Sequence, residues 1–98
     1  MHEELTRLRA EFEQVFWPEE FIVEFTDGQK QVFVSSQGIA LDDGIDDEGV
    51  GRPTITACWK KKSPSQQGFR RIAFFVDEVL EIRDSNGQLL WKPPVRRN

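Results

Sequence analysis

One histidine, one cysteine and seventeen carboxylates are the groups with which this 98-residue chain could do acid–base, nucleophilic or metal chemistry. Catalysis of that kind needs a titratable side chain held by a partner. His2 is the sole imidazole and sits in a terminal segment of the kind that frays. Cys58 falls in an alternating run, on the face opposite Trp59. Lys60 is near it in sequence, but no histidine is placed to act as its base, so an inert, buried or half-buried thiol is expected. No serine-nucleophile motif, phosphate-binding loop or dinucleotide fingerprint occurs. A zinc site needs more Cys and His than the chain holds. The sequence therefore predicts a protein that is not an enzyme and carries no cofactor and no metal.

The carboxylates cluster instead. Asp42, Asp43, Asp46, Asp47 and Glu48 could offer oxygen ligands to a hard cation, but the spacing is not that of an EF-hand loop. A solvated, self-repelling loop is the expectation, with a weak cation site or a docking surface for a basic partner as alternatives. The bases cluster elsewhere, at Lys60-Lys61-Lys62, Arg70-Arg71 and Arg96-Arg97. Lys60 and Arg71 flank one loop, so Lys60, Lys61, Lys62, Arg70 and Arg71 form a candidate binding cluster for a protein partner or, with Trp59 beside it, for nucleic acid. Residues 1–49 hold 3 bases and 13 acids, 3 − 13 = −10; residues 50–98 hold 10 bases and 4 acids, 10 − 4 = +6, summing to the net −4. Such segregation predicts charged partners or head-to-tail self-association. Phe16, Trp17 and Trp91, at the ends of elements, are candidates either for packing over a barrel mouth or for an aromatic contact surface.

These groups must be positioned by a helix and a set of short strands. Leu5, Leu8, Phe12 and Val15 recur at helical spacing with charged residues between them, which predicts an amphipathic helix over 3–16 lying on the domain's own core. Pro18 ends it. From residue 20 to 92 the pattern is β. Phe21, Val23 and Phe25 alternate with polar partners, and Asp27-Gly28 predicts a two-residue hairpin with a type I′ turn. Residues 31–34 form the return strand, continued past a bend at Gly38 by Ile39-Ala40-Leu41. Residues 42–53 read as a mobile loop, 54–59 as a strand, and 60–68 as a second polar loop. Residues 71–76 read as a strand buried on both faces or nearly so. Asp77-Glu78 makes a brief turn, 79–84 is a strand, and Asn86-Gly87 leads into a short return arm at Leu89-Leu90-Trp91. Pro93-Pro94 stops the pairing and leaves a tail over 93–98. The expected fold is one mainly β domain, a small five- or six-stranded antiparallel barrel or curled sheet capped by an N-terminal α-helix. No apolar run is long enough for a membrane span and no signal peptide is evident. With one cysteine, the cytoplasm is the expected compartment.

Two stretches carry a resemblance. Val23-Glu24-Phe25-Thr26-Asp27-Gly28 with Gly38-Ile39-Ala40-Leu41-Asp42-Asp43, and Phe74 to Ile82, resemble the two motifs of the Sm-like or SH3-type small barrels. The resemblance implies an N-terminal helix, three strands, a variable loop, and two further strands joined by a very short turn. It does not imply RNA binding here. The positions of that family's RNA pocket hold Val34, Gly38, Phe75 and Val76, and a glycine that lets the second strand bend is replaced by Phe33. The sequence reading is thus a binding or assembly module acting through protein–protein contacts, self-associating or meeting a charged partner, with nucleic-acid binding through the 60–71 loop as the alternative.

Overall fold

A computed structural model describes residues 2–45, 47–60 and 70–93, with the side chains of 2–5 and 37 left out. The order of elements is α1 (His2–Glu13), β1 (Glu20–Phe25), β2 (Lys30–Asp42), β3 (Thr54–Trp59), β4 (Arg70–Phe75), a 3₁₀ turn at Val76–Glu78, β5 (Val79–Asp84) and β6 (Leu89–Trp91). The strands form a single antiparallel sheet in the order β4-β3-β2-β1-β5-β6.

That order forces curvature. β4 and β5 are four strand spacings apart in the sheet, which laid flat is about 19 Å. The three residues between them form a 3₁₀ turn, which advances only about 2 Å per residue. The sheet must therefore roll until β4 comes round toward β5, and the result is a half-barrel. Two backbone bonds hold the turn at the closure. Val76 N–H donates to the Pro53 carbonyl (2.9 Å), and Thr26 N–H donates to the Glu78 carbonyl (2.9 Å).

β2 supplies the bend. Its first part pairs with β1 and its last part with β3, and the register moves from Val34↔Cys58 directly to Ile39↔Ala57. Residues 35–38 thus bulge out with no counterpart on β3, and Gly38 takes the positive φ (95°) that such a bulge needs. Ser35 ties the bulge to the segment before β1, its N–H donating to the Glu19 carbonyl (2.9 Å) and its hydroxyl to the Pro18 carbonyl (2.7 Å).

The core fills the concave face. Phe21 and Val23 of β1, Phe33 and Leu41 of β2, Ile55 and Ala57 of β3, Phe74 of β4, Val79 and Ile82 of β5 and Trp91 of β6 form one buried cluster, closed by Leu8 and Phe12 of α1. Phe25 and Ile72 pack against it while half-buried. The helix docks by its apolar stripe, as its spacing predicts. It stops at Glu13, three residues short of the predicted end. The Trp17 indole N–H caps the Phe12 carbonyl (3.1 Å), one of the carbonyls a helix end leaves without an internal donor.

Two further expectations are corrected. The Asp27-Gly28 hairpin is not a two-residue type I′ turn. Among the described residues no non-glycine has positive φ, and Phe25 N–H bonds the Gln29 carbonyl while Gly28 N–H bonds the Phe25 carbonyl. Thr26-Asp27-Gly28 is therefore a three-residue loop in which glycine alone takes the left-handed conformation, and Ser85-Asn86-Gly87 repeats it. The strand at 71–76 is not buried on both faces. β4 lies at the edge of the sheet, with Arg70, Arg71 and Ala73 exposed. Its apolar run covers one face only, and arginines on an edge strand discourage unwanted pairing.

Candidate interaction surfaces

The predicted site residues separate into buried and exposed groups. Trp91 is 6% exposed and belongs to the core, its ring meeting Phe12 edge-on at 5.2 Å and 89°. Trp17 is half-buried against Phe12 (4.7 Å) and Phe21 (5.1 Å). Both pack against the core, Trp17 because the chain leaving α1 folds it back onto the helix end. Phe16 points the other way and is 95% exposed.

Lys60, Arg70 and Arg71 stand together at one end of β3 and β4, where Trp59 faces Arg70 and Cys58 faces Arg71 in register. All three are exposed. Lys60 pairs with Glu20 (2.8 Å) at the exposed surface. The Arg71 guanidinium reaches across to the β2 bulge, where a Cβ on Gly38 would lie 3.3 Å from Nη2. Its side chain thus crosses β3 at the level of Cys58. Cys58 and its cross-strand neighbour Val34 are buried on the outer face, away from the main core. Lys61 and Lys62 lie outside the described residues, as do Arg96 and Arg97.

The acidic segment lies at the opposite end of the same strands, beyond Asp42↔Thr54 and Thr54↔Phe75. It is less of an open loop than its composition predicts. Arg52 N–H donates to the Gly44 carbonyl (2.7 Å), and Ile45 bridges Gly51, so the β2–β3 hairpin continues outward. Asp43, Asp47 and Glu48 are exposed around its tip, and so are Ile45 (73%) and Val50 (56%). Asp46 lies outside the described residues. Asp42 meets Arg9 of α1 at 3.5 Å. Among the described residues no group of three or more carboxylate, thiol or imidazole side chains is arranged to hold a metal ion.

Two features escape sequence reasoning. The first is a clamp. The Arg52 guanidinium lies 3.7 Å from the centroid of the Phe75 ring and donates to both oxygens of Asp77, with Nε–Oδ2 at 3.0 Å. The second is a cleft of about 340 Å³ on the concave face, beyond the part that α1 covers. Phe33 and Phe74 line it beneath Phe25, Trp59 and Ile72, and Asp27, Glu78, Gln29 and Gln31 border it. Phe25 and Phe74 meet edge-on at 5.1 Å, and the Trp59 indole N–H is held by Gln31 Oε1 at 2.9 Å. Its lining residues are adjacent only after the sheet rolls, so no local motif announces it. On the other side of the sheet, Arg83 donates to Glu81 at 2.8 Å, and that hydrogen bond raises its already high pKa.

No described helix is long and apolar enough to cross a membrane. Comparison with known protein families, with curated proteins and with solved structures finds no match to this chain.

Proposed function

We propose that this protein is a non-enzymatic binding or assembly module that acts through charge-complementary protein–protein contacts, joining copies of itself head to tail. The observation that carries the reading is the placement of the charge. The exposed Asp43, Asp47 and Glu48 surround exposed Ile45 and Val50 at one end of the β2–β3–β4 ribbon, and Arg70 and Arg71 are exposed at the other. β3 alone separates the two ends by roughly 17 Å, about two Debye lengths at 0.15 M salt. The ends therefore act as separate poles and neutralise each other poorly within one molecule. An apolar pair ringed by charge is also the usual composition of a contact patch, with an apolar centre and a polar rim.

The same chain order supports a distant relation to the Sm-like and SH3-type small barrels. Helix α1, strands β1–β3, residues 61–69, β4, a three-residue turn and β5 follow one another as that layout requires, with β6 as an addition. A single buried, unpaired thiol at Cys58 suits a reducing cytoplasm. Nucleic acid has the weaker support, because Lys60 is engaged by Glu20 and the net charge is negative.

Two charge-swapped variants test the reading. Arg70→Glu with Arg71→Glu cuts the charge of residues 60–71 from +5 to +1, and Asp43→Lys, Asp47→Lys and Glu48→Lys turn residues 42–48 from −5 to +1. Molar mass by light scattering should show association of the wild type at low salt, monomers of each variant alone, and recovered association when the two variants are mixed. Contacts of this kind weaken as salt is raised. A wild-type chain that stays monomeric at low salt while shifting oligonucleotides in a gel would replace this reading with the nucleic-acid one.

A further inference from the structure

The concave face of the sheet is covered unevenly. α1, Trp17 and Trp91 close the Phe21 side, and among the described residues nothing from α1 reaches the aromatic cleft. An apolar groove alone names no ligand, but this one has charge at its border. Asp27 Oδ1 accepts the Gln29 N–H (3.0 Å), and Glu78 Oε1 accepts the Phe75 N–H (3.2 Å). Each carboxylate is thereby oriented through one oxygen. The other oxygen has no hydrogen-bond partner among the described residues. Aromatic rings beside oriented carboxylates attract a cation, since the ring face is negative and the carboxylate supplies the full charge. A planar guanidinium suits both surfaces better than an ammonium, because it stacks on a ring while its fork donates to oxygens. The molecule already makes this combination once within itself, where Arg52 lies on Phe75 and donates to both oxygens of Asp77.

We propose that the cleft bordered by Asp27 and Glu78 takes an arginine side chain presented by a basic segment of a protein partner, the side chain lying against Phe25 and Trp59. This rests on the protein-binding reading above and adds to it a second surface with a specified chemistry. The cleft uses neither Arg70 nor Arg71 nor the acidic segment, although its Trp59 end adjoins Arg70 in register.

The test is an NMR titration of the whole chain with a capped peptide carrying one arginine between glycines and serines, up to about 10 mM, where weak single-residue contacts register. The Trp59 indole N–H resonance should move, while those of Trp17 and Trp91 should not. Replacing the arginine by citrulline, which keeps shape and removes charge, should weaken binding about tenfold, the size of one such contact. Asp27→Asn with Glu78→Gln should do the same. Both substitutions keep an oxygen for Gln29 or Phe75, and circular dichroism would verify the fold. A still Trp59 resonance, equal response to citrulline, equal or tighter binding of a lysine peptide, or an unchanged affinity in the double variant would each overturn the assignment. The charge-swap experiment is independent of Asp27 and Glu78. If association persists while Trp59 stays still, only the cleft assignment falls; if both fail, the protein-binding reading falls with it.

Discussion

Phe12 and Phe16 are four residues apart, and on an unbroken helix they would share one face. The structure gives them opposite fates, and that contrast is measurable. Phe12 is 1% exposed and lies 4.7 Å from the Trp17 ring and 5.2 Å from Trp91. Truncation to alanine removes a fully buried ring and leaves a cavity between the helix and the sheet, a change that costs about 3–5 kcal/mol. A domain of this size holds on the order of 5–15 kcal/mol in total. Phe12→Ala should therefore lower the urea midpoint by about 2–3 M at an m-value of about 1.5 kcal/mol/M. Phe16 is 95% exposed, so Phe16→Ala should stay within about 0.5 kcal/mol of the parent. Urea unfolding followed by tryptophan fluorescence and by far-ultraviolet circular dichroism reads both changes. The two probes should coincide for the parent, because α1 and the sheet share one core. A cost below about 1 kcal/mol for Phe12→Ala, or an equal cost for Phe16→Ala, would refute the docking of α1.

Gly44→Ala should break the outward continuation of the β2–β3 hairpin. A Cβ there would overlap the Thr54 hydroxyl oxygen and sit 2.6 Å from the Arg52 carbonyl oxygen, a backbone atom that cannot swing aside. The expected cost is about 1–3 kcal/mol, with the Arg52 amide losing its protection in hydrogen exchange, and retained protection would contradict the geometry. The Arg52–Asp77 pair, with side chains 32% and 51% exposed, should show a coupling of about 0.5–1 kcal/mol in a double-mutant cycle, falling at high salt. A coupling that ignores salt would mean that the stacking on Phe75, and not the charge, holds the clamp.

How far the sequence exposes this fold depends on whether the governing signal is local. The α1 stripe, the Phe21-Val23-Phe25 alternation and the Asp27-Gly28 and Asn86-Gly87 turns are each set by neighbours a few residues away, and all recur in the structure. The turn type is already harder. Asp-Gly permits a type I′ turn, but it also permits a type I turn followed by a left-handed glycine, and the two differ in loop length, the second closing on Phe25 and Gln29. The β4 error has a different origin. Ile72-Ala73-Phe74-Phe75 reads as buried on both sides because edge position is a property of the sheet order, which no single strand carries. Phe75 is half-buried through contact with Arg52, which lies before β3.

The candidate surfaces divide along the same line. Charge clusters are contiguous in sequence, so the acidic 42–48 segment and the Arg70-Arg71 pair can be found by inspection. Their opposition in space follows only from the antiparallel register, which sends the β2–β3 connection and the β3–β4 connection to opposite ends of β3. The cleft is non-local throughout. Asp27 belongs to the β1–β2 turn, Trp59 to the end of β3 and Glu78 to the 3₁₀ turn. The short β4–β5 connection rolls the sheet and brings these segments around one hollow. The same three-residue link draws β4 round toward the β1–β2 turn, where Thr26 bonds Glu78, and it is itself too short to reach across the hollow. α1, tethered at Pro18 to the far end of β1, covers the other half. A lengthened connection would relieve the roll and separate Asp27 from Glu78, so the geometry of the cleft and the curvature of the sheet have one physical cause.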